Sequence, residues 1–174
     1  MITVLFVCRA NVCRSPTAHG VFKKLVIEAG LDDVITVDSA GTHAPYPDRL
    51  PDARARAAAQ ARGYDISDLN AQQLSSDLGA GSDYIIVMDD SNYSDAENII
   101  SADDKHKMHL LLSYTNAEDK RLRDPFFSGS AGHGGFIPDP IDSEERAFTA
   151  TLSKIETACE SLLRHIISTE HLEK

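Results

Sequence analysis

Cysteine is scarce in this sequence: three residues in 174, an odd number, two of them at Cys8 and Cys13. That is too few for the disulfide framework of a small secreted protein and fits a reducing, cytoplasmic compartment. Positive charge is also short, with 17 Lys and Arg against 27 Asp and Glu and a formal net charge of −10. Such a field repels polyanions and argues against nucleic acid as a partner. Long apolar runs are missing. The opening ITVLFV run, residues 2–7, is far shorter than a membrane span or a leader's apolar core, and no basic residue precedes it. Neither a membrane partner nor a targeting segment is therefore expected. The seven histidines lack metal-ligand spacing. What remains is ordinary globular composition, predicting one domain over residues 1–174, large enough to bury its own core.

Residues 2–7, almost all β-branched or aromatic, have the pattern of a strand buried on both faces of a parallel sheet. After a short polar loop, Ser15-Pro16 opens a helix to about residue 29, with Ala18, Val21, Phe22, Leu25 and Val26 at three-and-four spacing and Gly30 as its stop. Further strands are predicted at 34–37, 84–88 and about 108–112, and further helices at about 51–62, 90–100 and 143–168. Strands alternating with helices define an α/β fold, doubly wound, with a four-stranded parallel sheet and helices on both faces. Residues 124–138 are too Gly-rich for regular structure and read as a loop insertion.

The chemistry concentrates in Cys8-Arg9-Ala10-Asn11-Val12-Cys13-Arg14-Ser15, between the first strand and the first helix. Open α/β sheets bind ligands at the carboxyl ends of their strands. Successive N–H groups of such a loop, with the helix N-terminus behind them, favour a phosphate-sized anion. A cysteine at position 8 meets the helix N-terminus and the Arg14 guanidinium, both of which favour thiolate over thiol. Arg14 can hold two phosphoryl oxygens with its planar fork, which Lys cannot. Asn11 tolerates the positive φ needed where the loop curls back. Ser15 can donate a hydroxyl hydrogen bond to the thiolate.

These residues resemble the signature of the low-molecular-weight protein tyrosine phosphatase family: Cys, five residues, Arg, then Ser or Thr, near the N-terminus. The likeness continues through Ser39-Ala40-Gly41-Thr42, Val87-Met88-Asp89-Asp90-Ser91-Asn92, and Asp139-Pro140 ahead of a closing helix with Ala158-Cys159. It implies a phosphomonoesterase acting on phosphotyrosine proteins or small aryl phosphates through a cysteinyl-phosphate intermediate. Inorganic phosphate is the product, and neither metal nor cofactor takes part. It implies Cys8 as nucleophile and Arg14 as phosphate ligand within a binding loop of Arg9, Ala10, Asn11, Val12, Cys13, Arg14 and Ser15. Asn11, Ser15 and Ser39 hold that loop, and an Asp-Pro aspartate is general acid. Two Asp-Pro pairs compete. Asp124 is followed by Phe126 and Phe127, but Asp139 has the family's distance to the closing helix and is the expected acid.

The chain departs from the family pattern in four places. Ala10 stands where Gly is usual, Leu69 where a His often supports the loop serine, and Pro45 where an aromatic lines the cleft. Ile141 and Asp142 follow the second Asp-Pro in place of Tyr. Tyr46, Phe126 or Phe127 are candidates for the missing cleft wall. Cys13 has two readings, a reversible redox partner of Cys8 or a small buried hydrophobe. His19 reads as a surface helix residue, Cys159 as core, and Asp89 with Asp90 as a helix cap and its neighbour. The alternatives to hydrolysis are a thiol-dependent arsenate reductase, which needs redox cysteines absent from the central region, and a silent phosphate- or phosphopeptide-binding module. Val12, where phosphoarginine-specific relatives tend to carry Thr, points toward aryl esters.

Overall fold

A computed structural model describes residues 1–115 and 145–172. The apolar opening run is strand β1 (Ile2–Cys8), followed by helix α1 (Arg14–Glu28), β2 (Ile35–Gly41), α2 (Ala53–Ala61), α3 (Ser76–Ala80), β3 (Tyr84–Val87), α4 (Asp90–Glu97), β4 (Met108–Leu110) and α5 (Glu145–Thr169). All pairings are parallel and the strand order is β2-β1-β3-β4. Among the described residues no helix is long and apolar enough to cross a membrane.

The continuous apolar character of β1 follows from burial on both sides. Val4, Phe6 and Cys8 join Ile86 in a core closed by Ala18, Val21 and Phe22 of α1 and Leu152, Ile155, Cys159 and Ile166 of α5. The alternate residues Leu5 and Val7 join Ile85 and Val87 in a second core with Leu74, Ala96 and Ile100. Successive strand side chains point to opposite faces, so β1 and β3 each serve both cores. Phe6 and Phe22 meet edge to face, ring centroids 5.5 Å apart. Cys159 lies in the first core as expected, and burial pushes its thiol well up from its ordinary value.

Several boundaries differ from the sequence reading. β2 runs on through Ser39-Ala40-Gly41, small residues that carry no strand signal of their own. The five-residue α3 is too short to leave a periodic pattern and was not expected; Ser75 caps it by accepting from the Leu78 N–H at 3.2 Å. The fourth strand is only three residues long and passes into a 3-10 turn at Leu111–Tyr114.

His19 is the clear correction. It is 7% exposed, because every residue from Arg14 to Phe22 is buried and the first two turns of α1 are enclosed on all sides. Its Nδ1 meets no partner among the described residues. Burial, opposed in part by the Asp38 carboxylate, lowers its pKa from 6.5 to about 4. The native state therefore resists protonation while the unfolded chain accepts it. Above about pH 6.5 both states are neutral and the residue contributes nothing; as pH falls from 6.5 to 4 the unfolded state gains, up to roughly 3 kcal/mol. Denaturant unfolding at pH 7.5 and 4.5 should show a smaller loss of stability in His19→Gln than in the wild type.

Candidate active site

The chain leaves β1 for β2 on one side and later places β3 on the other, so the carboxyl end of β1 is the switch point where open α/β sheets bind ligands. Cys8 ends the strand there and is 3% exposed. Residues 9–13 curl back and Cys13 is the N-cap of α1. The reversal occurs at Asn11, whose φ of 56° lies in the left-handed region that Asn tolerates. Ala10 is absent from the positive-φ residues, so its methyl meets no backbone strain, and it packs against the small apolar cluster that contains Val12 and Cys13. The Ala-for-Gly departure thus leaves the loop geometry intact.

The loop is held by one buried amide. Asn11 Nδ2 donates to Ser15 Oγ at 2.8 Å and to Ser39 Oγ at 3.0 Å, while its Oδ1 accepts from the Gln72 N–H at 2.9 Å. Gln72 in turn donates through Nε2 to Asp38 Oδ1 and to the Ser39 carbonyl. Leu69, at the position where a His often supports the loop serine, packs in the small cluster with Val12 and Ile66, and Asn11 and Ser39 provide the polar support. Gln72 carried no signal in the sequence beyond being a polar residue ahead of α3.

Ser15 Oγ lies 3.0 Å from Cys8 Sγ and 3.3 Å from the Ala40 carbonyl. Because Asn11 already donates to this oxygen, the single hydroxyl proton has only the sulfur or the carbonyl as acceptor. Ionisation of Cys8 favours the sulfur, since bonds to charged acceptors are the stronger ones. Among the described residues, no carbonyl accepts from the N–H groups of Ala10, Asn11 and Val12. Pro16, third residue of α1, has no N–H to place there. Such a cluster of free amides at a helix N-terminus is an oxyanion site.

Arg14 opens α1, is 2% exposed, and donates through Nη1 to Asp89 Oδ2 at 2.5 Å. The other Asp89 oxygen accepts from the Asn92 N–H at 2.6 Å and caps α4. Asp89 is a helix cap, as expected, and also a tether for Arg14 that sequence reasoning missed, since 75 residues separate the two. Its position just after β3, opposite the loop after β1, was the available signal.

Gly41 pairs with Cys8 across the sheet. A Cβ there would lie 2.7 Å from the Arg9 carbonyl oxygen and 2.9 Å from Asn11 N, both backbone atoms of the cup. Gly41→Ala should therefore weaken inorganic phosphate binding at least about tenfold and cost about 1–3 kcal/mol of stability, measured by calorimetric titration and denaturant unfolding.

Tyr46 is 65% exposed on the segment between β2 and α2, with the Arg49 guanidinium 6.0 Å from its ring centroid. Cys13 is 4% exposed and packs beside Phe148 and Ala55. Asp124, Phe126, Phe127, Asp139, Ile141 and Asp142 lie outside the described residues.

A doubly wound sheet with an amide-lined cup at its switch point, a cysteine at the base and a buried arginine beside it, defines the class of α/β phosphatases built on a strand-loop-helix oxyanion site. The chain belongs to the low molecular weight phosphotyrosine protein phosphatase family, whose sequence profile matches residues 3–173. It is 36% identical over 143 residues to the low molecular weight phosphotyrosine protein phosphatase of Schizosaccharomyces pombe, covering 81% of this chain and 91% of that one. It is 31% identical over 166 residues to the low molecular weight protein-tyrosine-phosphatase YfkJ of Bacillus subtilis, covering 95% and 96%. A crystal structure of a protein tyrosine phosphatase from Entamoeba histolytica superposes with a TM-score of 0.83 at 27% identity, over 99% of this chain and 100% of that one. The protein is a phosphotyrosine phosphatase; arsenate reduction and silent phosphate binding are not favoured.

Proposed function

We propose that Cys8 is the nucleophile, Arg14 the phosphate ligand and Asp139 the general acid of this phosphatase, within a single domain that works in the reducing cytoplasm. The 3.0 Å contact between Cys8 Sγ and Ser15 Oγ, inside a cup with unbonded amides, is the observation that carries this reading. The ionised sulfur attacks the phosphorus of an aryl phosphate bound in the cup. The aryl oxygen departs with the bonding pair and takes the proton of Asp139, leaving a cysteinyl phosphate. Asp139 then accepts a proton from water as that water attacks phosphorus. The thiolate leaves onto the Ser15 hydroxyl, and inorganic phosphate is released.

Arg14 supports the transition state by spreading two donors over the equatorial oxygens, with its other side held by Asp89. Ser39 and Asn11 keep Ser15 in place, so the bond to sulfur is ready when the thiolate re-forms. None of the three cysteines, Cys8, Cys13 and Cys159, is joined to another by a disulfide, as suits a reducing compartment.

Rapid mixing with an aryl phosphate should give a burst of phenol equal to the enzyme concentration, followed by slower turnover; a linear trace with no burst at any pH, together with no phosphate recovered on Cys8, counts against the covalent route. Asp139→Ala should slow hydrolysis of phenyl phosphate about 100- to 1000-fold, more than for an ester with a better leaving group. Asp124→Ala should change it by less than about threefold, and the reverse ranking would move the acid to Asp124.

A further inference from the structure

The bond from Ser15 to Cys8 depends on where one proton points, and that depends on which end of the Asn11 amide faces Ser15. With Nδ2 toward the serine, as found, the amide donates to Oγ and the hydroxyl proton is left for the sulfur. With the amide turned over, Oδ1 would stand there instead, an acceptor that takes the proton away from the sulfur. Ser15 and Ser39 do not choose between the two ends, because a hydroxyl can donate or accept. The Gln72 N–H does choose: a backbone N–H only donates, and it meets Oδ1 at 2.9 Å. Turned over, Nδ2 would face it donor against donor, at a residue only 1% exposed, where water offers no relief.

What keeps the Gln72 N–H in place is its own side chain. Residues 72–74 run beside the end of β2 for a single bridge: the Gly41 N–H donates to the Gln72 carbonyl at 2.9 Å and the Leu74 N–H to the Gly41 carbonyl at 2.8 Å. So short a pairing is weak by itself. The Gln72 side chain adds the anchorage, spending both Nε2 hydrogens on β2, at 2.8 Å to Asp38 Oδ1 and at 3.0 Å to the Ser39 carbonyl. The bond to the carboxylate is charge-assisted, and the same oxygen is oriented by the Ser39 N–H at 2.7 Å. Leu69, packed with Val12 and Ile66, has no polar atom to give this network.

Resting on the assignment of Cys8 as nucleophile, we infer that Gln72 is a positioning residue of the reaction: clamped to Asp38 and Ser39, it fixes the sense of the Asn11 amide and thereby keeps the Ser15 proton on the sulfur. It acts only through Asn11 and Ser15. Its effect falls on the steps in which the sulfur is charged, attack and departure, while the amides that line the cup keep their geometry.

The test reads the sulfur directly. Alkylation of Cys8 by iodoacetamide, followed by peptide mass analysis across pH, gives the pH midpoint of its reactivity. Gln72→Met, close in length but without an amide hydrogen, should move that midpoint up by about one pH unit and lower kcat on p-nitrophenyl phosphate about tenfold, with phosphate affinity within about threefold of the wild type. Asp38→Ala cuts the other end of the clamp. It should also move the midpoint up, although loss of a carboxylate would by charge alone move it down, so the sign separates the clamp from simple electrostatics. The double variant should shift the midpoint no further than the larger single change, since one clamp is broken once. Arg14 and Asp89 are unaltered in all three. A midpoint within about 0.2 pH unit of the wild type in folded Gln72→Met, or a downward shift in Asp38→Ala, would overturn the inference and leave the phosphatase reading standing. Turnover that persists in Cys8→Ser would overturn the nucleophile assignment, and the inference with it.

Discussion

Cys8→Ser is expected to reduce aryl phosphate turnover at least about 10,000-fold while phosphate still binds within a few-fold of the wild-type affinity. Serine preserves the shape at the end of β1, the 3% exposure and an oxygen near Ser15, so the cup should persist. What it lacks is the sulfur itself, the better nucleophile toward phosphorus and the only atom of the two that leaves readily in the second step. Steady-state rates on p-nitrophenyl phosphate and titration calorimetry with inorganic phosphate check the two halves separately. More than about 1% residual turnover would remove Cys8 from the mechanism. Loss of phosphate binding as well would mean that the sulfur shapes the cup and is not only its reagent.

The second large effect is at Arg14. Replacement by Lys keeps the charge but loses the planar fork, and a single ammonium cannot both face Asp89 and span two phosphoryl oxygens. A fall in kcat of about 1000-fold is expected, which corresponds to about 4 kcal/mol of transition-state stabilisation, with a smaller loss of phosphate affinity. Because Asp89 ties Arg14 to the cap of α4, Asp89→Asn tests the tether alone. It removes the charge but keeps a capping oxygen, and should cost roughly 10- to 100-fold in kcat with the fold retained. Equal activity of Arg14→Lys and wild type would assign the transition-state role elsewhere.

Much of the fold was legible because its signals are local. The buried strand read at residues 2–7, the helix stop at Gly30 and the apolar stripe of α5 each follow from neighbours within a few residues. The elements that were missed or misjudged depend on what packs against them. α3 has five residues and no period to show. The extension of β2 through Ser39 to Gly41 uses small residues because the cup leaves no room, as the 2.7 Å approach to the Arg9 carbonyl oxygen shows. His19 sits where helical periodicity allows exposure, yet the first turns of α1 are enclosed from all sides, and no window on one helix can report that.

The same division runs through the site. The sequence alone determined that a cysteine follows a buried strand, that an arginine precedes the Ser-Pro opening of the next helix, and that an asparagine suited to positive φ lies between them, because a loop of eight residues is encoded in eight consecutive letters. It could not show that Asp89 grips Arg14, that Gln72 and Ser39 fix Asn11, or that the 42–52 segment is bonded along the cup. Those partners lie 28 to 75 residues from the groups they hold. Only the strand order, which sets β2 and β3 on either side of β1, brings them within hydrogen-bonding distance, and that order is decided by packing two apolar cores at once rather than by any single stretch of chain.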